Sequence, residues 1–124
     1  MNKPSKHPQK RILGNWGEAE AEKYFVNLGL ELVQRNYHTR GGEIDLILRD
    51  GDEFVFVEVK TRTSSALGYP EEAVTEEKMD HMMEAAEKFL ESHPEVKDWR
   101  MDVLAIIGKP GRGTPQFEWY KDVE

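Results

Sequence analysis

The chain contains no cysteine, which excludes disulfide bonds and thiolate metal sites. Long apolar runs are missing too, since no stretch approaches the roughly 18 apolar residues of a membrane-spanning helix. The polar start MNKPSKHPQK also lacks the apolar segment of a secretion signal. The four histidines are scattered without H-x-x-x-H spacing, which argues against a histidine metal site. These absences predict a soluble cytoplasmic protein that does not bind membranes.

A positive net charge, typical of nucleic-acid-binding domains, is absent as well. The formal net charge is −7, which weighs against a general polyanion-binding surface. The acidic excess lies entirely in the second half: residues 1–62 contain ten basic and ten acidic residues, and residues 63–124 contain seven and fourteen. If carboxylates of the first half bind a divalent metal ion, their surroundings become more basic than the count suggests.

The pattern of apolar residues predicts one α/β domain over residues 11–124, preceded by a mobile basic tail over residues 1–10. A first helix is indicated by the stripe Ala21, Phe25 and Leu28 and ends at Gly29. The remaining elements are a strand over 30–37, a hairpin with arms 44–48 and 54–59, a helix from Thr75 to Pro94, and strands over 100–107 and 116–123. The order α-β-β-β-α-β-β predicts a mixed sheet flanked by helices.

The two hairpin arms carry charged residues where a buried sheet would have apolar ones. Glu58 and Lys60 project to one face of their strand, about 7 Å apart. Asp45 lies on the other arm and could come within roughly 5 Å of them if the register allows. Paired carboxylates suit Mg²⁺ or Mn²⁺, and a neighbouring lysine can act on water or phosphate. The alternative is a salt bridge between Glu58 and Lys60 with Asp45 solvated at a sheet edge.

The first helix offers a third carboxylate. On a helical wheel Glu18 falls at the edge of the buried stripe and leans toward the sheet. Gly14 and Gly17 on that face would let the helix backbone approach the sheet or a ligand closely. Alternatively, Glu18 is a boundary residue that reaches water. On the strand at 100–107, Asp102 could support the same site or pair with Arg100.

Five motifs occur in order along the chain: G-x-x-G-E at 14–18, GEIDLI at 42–47, FVEVKTR at 56–62, A-V-x-x-x-K at 73–78 and RMDV at 100–103. Together they resemble the YraN-type family of bacterial proteins, whose fold is similar to that of Holliday-junction resolvases and other PD-(D/E)XK nucleases. The resemblance implies that Asp45, Glu58 and Lys60 form a metal and catalytic centre, and that Glu18 joins it. The proline of the superfamily motif is absent, because Glu43 and Ile44 precede Asp45.

We therefore expect a restriction-endonuclease-like domain that hydrolyses structured or branched DNA with Mg²⁺ or Mn²⁺; two symmetric cuts would require a homodimer. Arg40, Arg62, Lys78 and the basic tail would contact phosphates. Lys78, at the start of the second helix, could instead simply pair with an acid. Two alternatives remain for the whole protein: a noncatalytic adaptor that binds nucleic acid or a protein partner, and a phosphoesterase acting on small molecules.

Overall fold

The computed structural model describes residues 8–64 and 75–123, with side chains described from residue 11 onward. The elements in chain order are α1 (Pro8–Asn27), β1 (Glu31–His38), β2 (Glu43–Asp50), β3 (Glu53–Arg62), α2 (Glu76–Ser92), β4 (Asp98–Ile107) and β5 (Gln116–Tyr120). This order and the mixed α/β class confirm the predicted fold. Neither described helix combines the length and the apolar content needed to cross a bilayer.

One five-stranded sheet, in the order β1-β2-β3-β4-β5, forms the centre of the protein. The pairs β1–β2, β2–β3 and β4–β5 are antiparallel, whereas β3 and β4 are parallel from Glu53↔Asp98 to Arg62↔Ile107. The parallel pair requires a crossover, and α2 lies in that connection. As expected from its apolar run, β3 is a central strand, so its charged end lies inside the sheet rather than at an edge.

Helix α1 covers one face of the sheet. Ala21 and Phe25 pack in a cluster with alternate residues of β3, namely Val55, Val57 and Val59. The predicted stripe was wrong at Leu28, which is 54% exposed; Leu30, after the left-handed Gly29 (φ +96°), is buried instead. Leu28 follows Asn27, the last residue of α1, and lies in the turn with Gly29, so the helical periodicity no longer determines which way its side chain faces. Residues 8–10, expected in the tail, belong to α1; residues 1–7 lie outside the described part.

Helix α2 covers the opposite face and begins as predicted at Thr75, whose hydroxyl accepts a hydrogen bond from Lys78 N at 3.2 Å. Its buried residues, Met82, Ala85, Ala86 and Phe89, pack against Phe56 of β3 and Met101 of β4. The residues of β3 therefore alternate between the two helices. Because Phe56 faces α2, Glu58 and Lys60, two and four residues later, also face α2.

Two departures from regular strand geometry shape the ends of the sheet. Ile44 and Ile47 both pack on the α2 side, although they are three residues apart, so the side-chain alternation of β2 breaks between them. The last strand ends at Tyr120 rather than at residue 123 as predicted, since Asp122 adopts a left-handed conformation (φ +54°) and leaves the ladder. The break in β2 matters for function because Asp45 lies within it.

Candidate active site

The hairpin pairing of β2 with β3 stops at Leu46↔Val57, one residue short of Asp45. Beyond that point the Asp45 side chain takes over, since Oδ2 accepts a hydrogen bond from the main-chain N–H of Val59 at 2.8 Å. If β2 and β3 stayed paired beyond that point, a main-chain carbonyl of β2 would accept the hydrogen bond from Val59 N instead. This hydrogen bond holds the carboxyl of Asp45 against β3, beside Glu58. The sequence predicted that Asp45 and Glu58 would be neighbours across the two strands.

Glu58 is the centre of a charged cluster under the start of α2. Its side chain is 6% exposed, and Oε1 accepts contacts from two ammonium groups: Lys60 Nζ at 3.2 Å and Lys78 Nζ at 2.8 Å. The salt bridge proposed as an alternative for Glu58 and Lys60 is thus present, and so is the pairing of Lys78 with an acid. A simple surface ion pair has one cation for each carboxylate, whereas the buried Glu58 carboxylate contacts two.

Electrostatics in the cluster favour protons or cations near Asp45. Burial raises the pKa of Asp45 from 3.8 to about 8, and the negative charges of Glu58 and Glu18 add to the effect, while the Val59 hydrogen bond opposes it. Glu18 shows the same trend, because burial and then the charges of Glu43 and Glu58 raise its pKa. The carboxyl groups repel one another when ionised, so a divalent cation among them would relieve that repulsion.

The two lysines respond in opposite directions. Burial lowers the pKa of Lys60, and the adjacent Lys78 lowers it further, against the attraction of Glu58. Burial also disfavours the charged form of Lys78, but its contacts with Glu58 and Lys60 outweigh that effect and raise its pKa. Lys78 is therefore the more firmly protonated cation, and Lys60 is the amine that can more readily give up its proton.

Two recesses open on either side of the cluster. One, of about 470 Å³, lies between the β1–β2 connection and α2 and includes Arg40, Glu43, Glu58, Lys78 and His81. The other, of about 540 Å³, lies between α1 and the end of β3 and includes Glu18, Lys60, Arg62 and Thr63. The predicted residues are thus divided: Arg40 and Lys78 line the first recess, whereas Glu18 and Arg62 line the second. A substrate could reach the cluster from both sides.

Sequence reasoning missed part of the first recess. A Cβ atom on Gly42 would overlap the main-chain carbonyl oxygen of His81, and one on Gly41 would overlap the Glu84 carboxylate. The Gly-Gly pair before β2 is therefore needed for the β1–β2 connection to pack on α2. The pair was visible in the sequence, but its partner on α2, some forty residues away, was not.

Glycines of α1 behave differently from one another. Gly17 is needed for close packing on the sheet as predicted, because a Cβ there would overlap Thr61 Oγ1. Gly14 has no atom within 4 Å of such a Cβ and does not touch the sheet; it lines the recess beside α1, and its predicted contact with a ligand stays a prediction. Close contact at Gly17 holds the helix against the end of β3. It places the following residue, Glu18, within electrostatic reach of Asp45 and Glu58.

Among the described residues, no three His, Asp or Glu side chains are arranged to share one metal ion. Asp45 and Glu58 lie together, while Glu18 acts on them through its charge, so its role as third ligand stays a prediction. Asp102 is fully buried but belongs elsewhere. It accepts hydrogen bonds from Arg100, from the Trp119 indole at 2.7 Å and from Asp122 N at 2.9 Å, and so ties the C-terminal strand to β4.

A mixed sheet between helices, with an aspartate, a glutamate and a lysine gathered where two adjacent strands meet, is the arrangement that the sequence motifs predicted. The model of the uncharacterised protein family UPF0102 matches residues 17–106, and the chain belongs to this family.

The similar proteins are described only as members of the same family. A UPF0102 protein of Syntrophomonas wolfei is 44% identical over 103 residues, which cover 82% of this chain and 90% of that protein. One from Herminiimonas arsenicoxydans is 42% identical over 113 residues, covering 91% and 86%. One from Streptomyces griseus is 38% identical, covering 90% and 94%. These matches establish the family, and they assign no activity.

Proposed function

We propose that this protein is a metal-dependent endonuclease that hydrolyses phosphodiester bonds in structured or branched DNA. The observation that carries the proposal is the buried cluster of Asp45, Glu58 and Lys60 at the break in β2, open to recesses on both sides. Charged groups are costly to bury. A cluster that leaves the carboxyl of Asp45 with a pKa of about 8 is therefore better explained by a ligand than by stability.

The residues present fit a hard divalent cation. Mg²⁺ is commonly held by one or two carboxylates, with waters and substrate phosphates as its other ligands, so Asp45 and Glu58 suffice without a third protein ligand. An ion bound there would supply Lewis-acid polarisation of the phosphoryl oxygens. Mn²⁺ prefers the same oxygen donors, and Glu18 would strengthen the attraction by its nearby charge.

Lys60 would accept the proton of the attacking water. Its Nζ lies 3.2 Å from Glu58 Oε1, and burial together with Lys78 lowers its pKa, which makes the neutral amine more accessible. A neutral amine can accept a proton, and the resulting ammonium can stabilise negative charge on phosphate. Lys78 stays protonated beside it.

Cations around the recesses would hold the DNA backbone. Arg40 is exposed in the recess beside α2, Lys78 is half-buried within it, and Arg62 lies in the recess beside α1. Contacts from both sides would suit a strand that passes over the cluster, and a bent or branched substrate meets such a site more easily than a straight duplex does.

A noncatalytic adaptor is the second candidate, and one observation favours it. Glu58 Oε1 is already neutralised by two lysines, so the cluster can be satisfied without metal. In that case the fold would present its basic residues to a nucleic acid or to an acidic partner, with no chemistry.

A cleavage assay separates the two candidates. Four-way junction, flap, duplex and single-stranded DNA are incubated with Mg²⁺, with Mn²⁺ or with EDTA, and products are resolved on denaturing gels. We expect metal-dependent cleavage of the junction or flap by the wild type and by Glu87→Ala, a matched change at an exposed position of α2, but none by Glu58→Ala. Cleavage that persists in Glu58→Ala would refute the proposed centre. DNA binding by the wild type without any cleavage would assign the adaptor role.

A further inference from the structure

The loop between β4 and β5 holds two cations side by side. Lys109, Pro110, Gly111 and Arg112 form a tight turn in which Arg112 N donates a hydrogen bond to Lys109 O at 3.1 Å. Pro at the second position and a glycine with φ +74° at the third are the residues that a type II turn requires. In such a turn the first and fourth Cα atoms are less than about 7 Å apart. The backbone therefore fixes the spacing of Lys109 and Arg112.

The turn is anchored next to the proposed active site. Gly108 N donates a hydrogen bond to Arg62 O at 2.9 Å, so the loop leaves the sheet beside the last residue of β3. A Cβ on Gly108 would come within 3.2 Å of the Trp16 ring, which shows that the loop also rests on α1. Lys60 lies two residues before Arg62 on the same strand, about 7 Å away along the chain. The turn therefore begins next to Arg62, a residue of the recess that also contains Lys60.

Lys109, Arg112 and Arg62 lack the ion pairs that several other basic side chains of the described residues form. The chain as a whole carries −7, and elsewhere basic side chains such as Arg35, Lys88 and Arg100 form ion pairs. Lys109 and Arg112 are exposed, and no described carboxylate forms an ion pair with them or with Arg62. Cations that no ion pair neutralises can attract a polyanion.

We infer that the turn at Lys109–Arg112, together with Arg62, is a clamp for the sugar-phosphate backbone of DNA at the end of β3, beside the active site. The inference rests on the proposed function and adds a binding site for the DNA backbone where the strand passes beyond the cluster. Along one DNA strand a phosphate occurs about every 3.4 Å of helix axis, so two cations at the corners of one turn can meet neighbouring phosphates. Contacts of this kind set position and affinity rather than base sequence.

The test is DNA binding as a function of salt, with no requirement for cleavage. Fluorescence anisotropy of a labelled four-way junction and a labelled duplex is measured from low to moderate KCl with Ca²⁺ present, for the wild type, Lys109→Gln/Arg112→Gln and the control Lys88→Gln/Lys97→Gln. The control removes the same charge from exposed positions of α2 and of the loop before β4. We expect the clamp variant to bind at least tenfold more weakly at moderate salt, with a salt slope smaller by about 1.8, and the control to stay within twofold of the wild type.

A charge-neutral variant tests the turn itself. Gly111→Val keeps both cations, but a β-branched residue does not tolerate φ +74°, so it should also weaken binding and reduce the slope. Equal binding by the clamp variant and the control would overturn the inference while leaving the proposed function intact, and an unchanged slope in Gly111→Val would show that the turn geometry is not used. Failure of the wild type to bind any of the DNAs would instead refute both this inference and the proposed function.

Discussion

Replacing Asp45 by asparagine should remove most of the pH dependence of stability between pH 5 and pH 7. The pKa of Asp45 is about 8 in the folded protein against an ordinary value of 3.8, chiefly because the group is buried and next because Glu58 is close. A carboxyl with a raised folded-state pKa binds its proton more tightly when folded. Its contribution is therefore complete below the unfolded pKa and is lost as the pH rises toward the folded pKa.

The size of the effect follows from linkage. The free energy of unfolding should fall by up to about 1.4 kcal/mol per pH unit across this window, which gives the wild type a loss of about 2 to 3 kcal/mol between pH 5 and pH 7 relative to the variant. Asparagine keeps an oxygen that can accept the hydrogen bond from Val59 N but carries no charge. At pH 7 without metal, Asp45→Asn should therefore be more stable than the wild type.

Urea unfolding in EDTA at pH 5, 6 and 7, followed by circular dichroism, measures this difference. Asp52→Asn, the same change at an exposed position of the β2–β3 turn, should follow the wild type at every pH. A constant difference between the wild type and Asp45→Asn across the series would mean that Asp45 titrates alike in the folded and unfolded chain, and the argument for a strained carboxyl would then fail.

Three further outcomes are expected. Mn²⁺ should raise the melting temperature of the wild type at pH 7 and leave Asp45→Asn/Glu58→Gln unchanged, since binding to the folded state alone stabilises it; an equal rise in both, by thermal-shift assay, would exclude the shared site. Lys60→Arg should keep the fold and the Mn²⁺ response but lose cleavage, because guanidinium cannot give up its proton; retained cleavage would make Lys60 structural. Gly17→Ala should lower stability by about 1 to 3 kcal/mol by overlap with β3, whereas Gly14→Ala, in open space of the same helix, should raise it by up to about 1 kcal/mol; equal effects in urea unfolding would contradict the packing argument.

Local patterns in the sequence were enough to place most of the elements. The run from Phe54 to Val59, apolar on both faces, identified β3 as a central strand, and Thr75 marked the start of α2. These signals work because strand alternation and helix capping depend on residues only a few positions apart. The same reasoning found Glu58 and Lys60 as neighbours on one face.

Tertiary structure alone decided how the cluster is assembled. The break in β2 that puts Ile44 and Ile47 on one face, and so lets Asp45 accept the hydrogen bond from Val59, has no mark in the alternation of the sequence. Lys78 reaches Glu58 because α2 crosses the sheet at that point. The packing of α2 on the sheet decides that the Lys78 ammonium contacts Glu58, twenty residues away, rather than Glu76 or Glu77 next to it on the helix. Periodicity specifies which face of an element is buried, but not which residues of a distant element it will contact, because those contacts follow from the packing of whole side-chain surfaces.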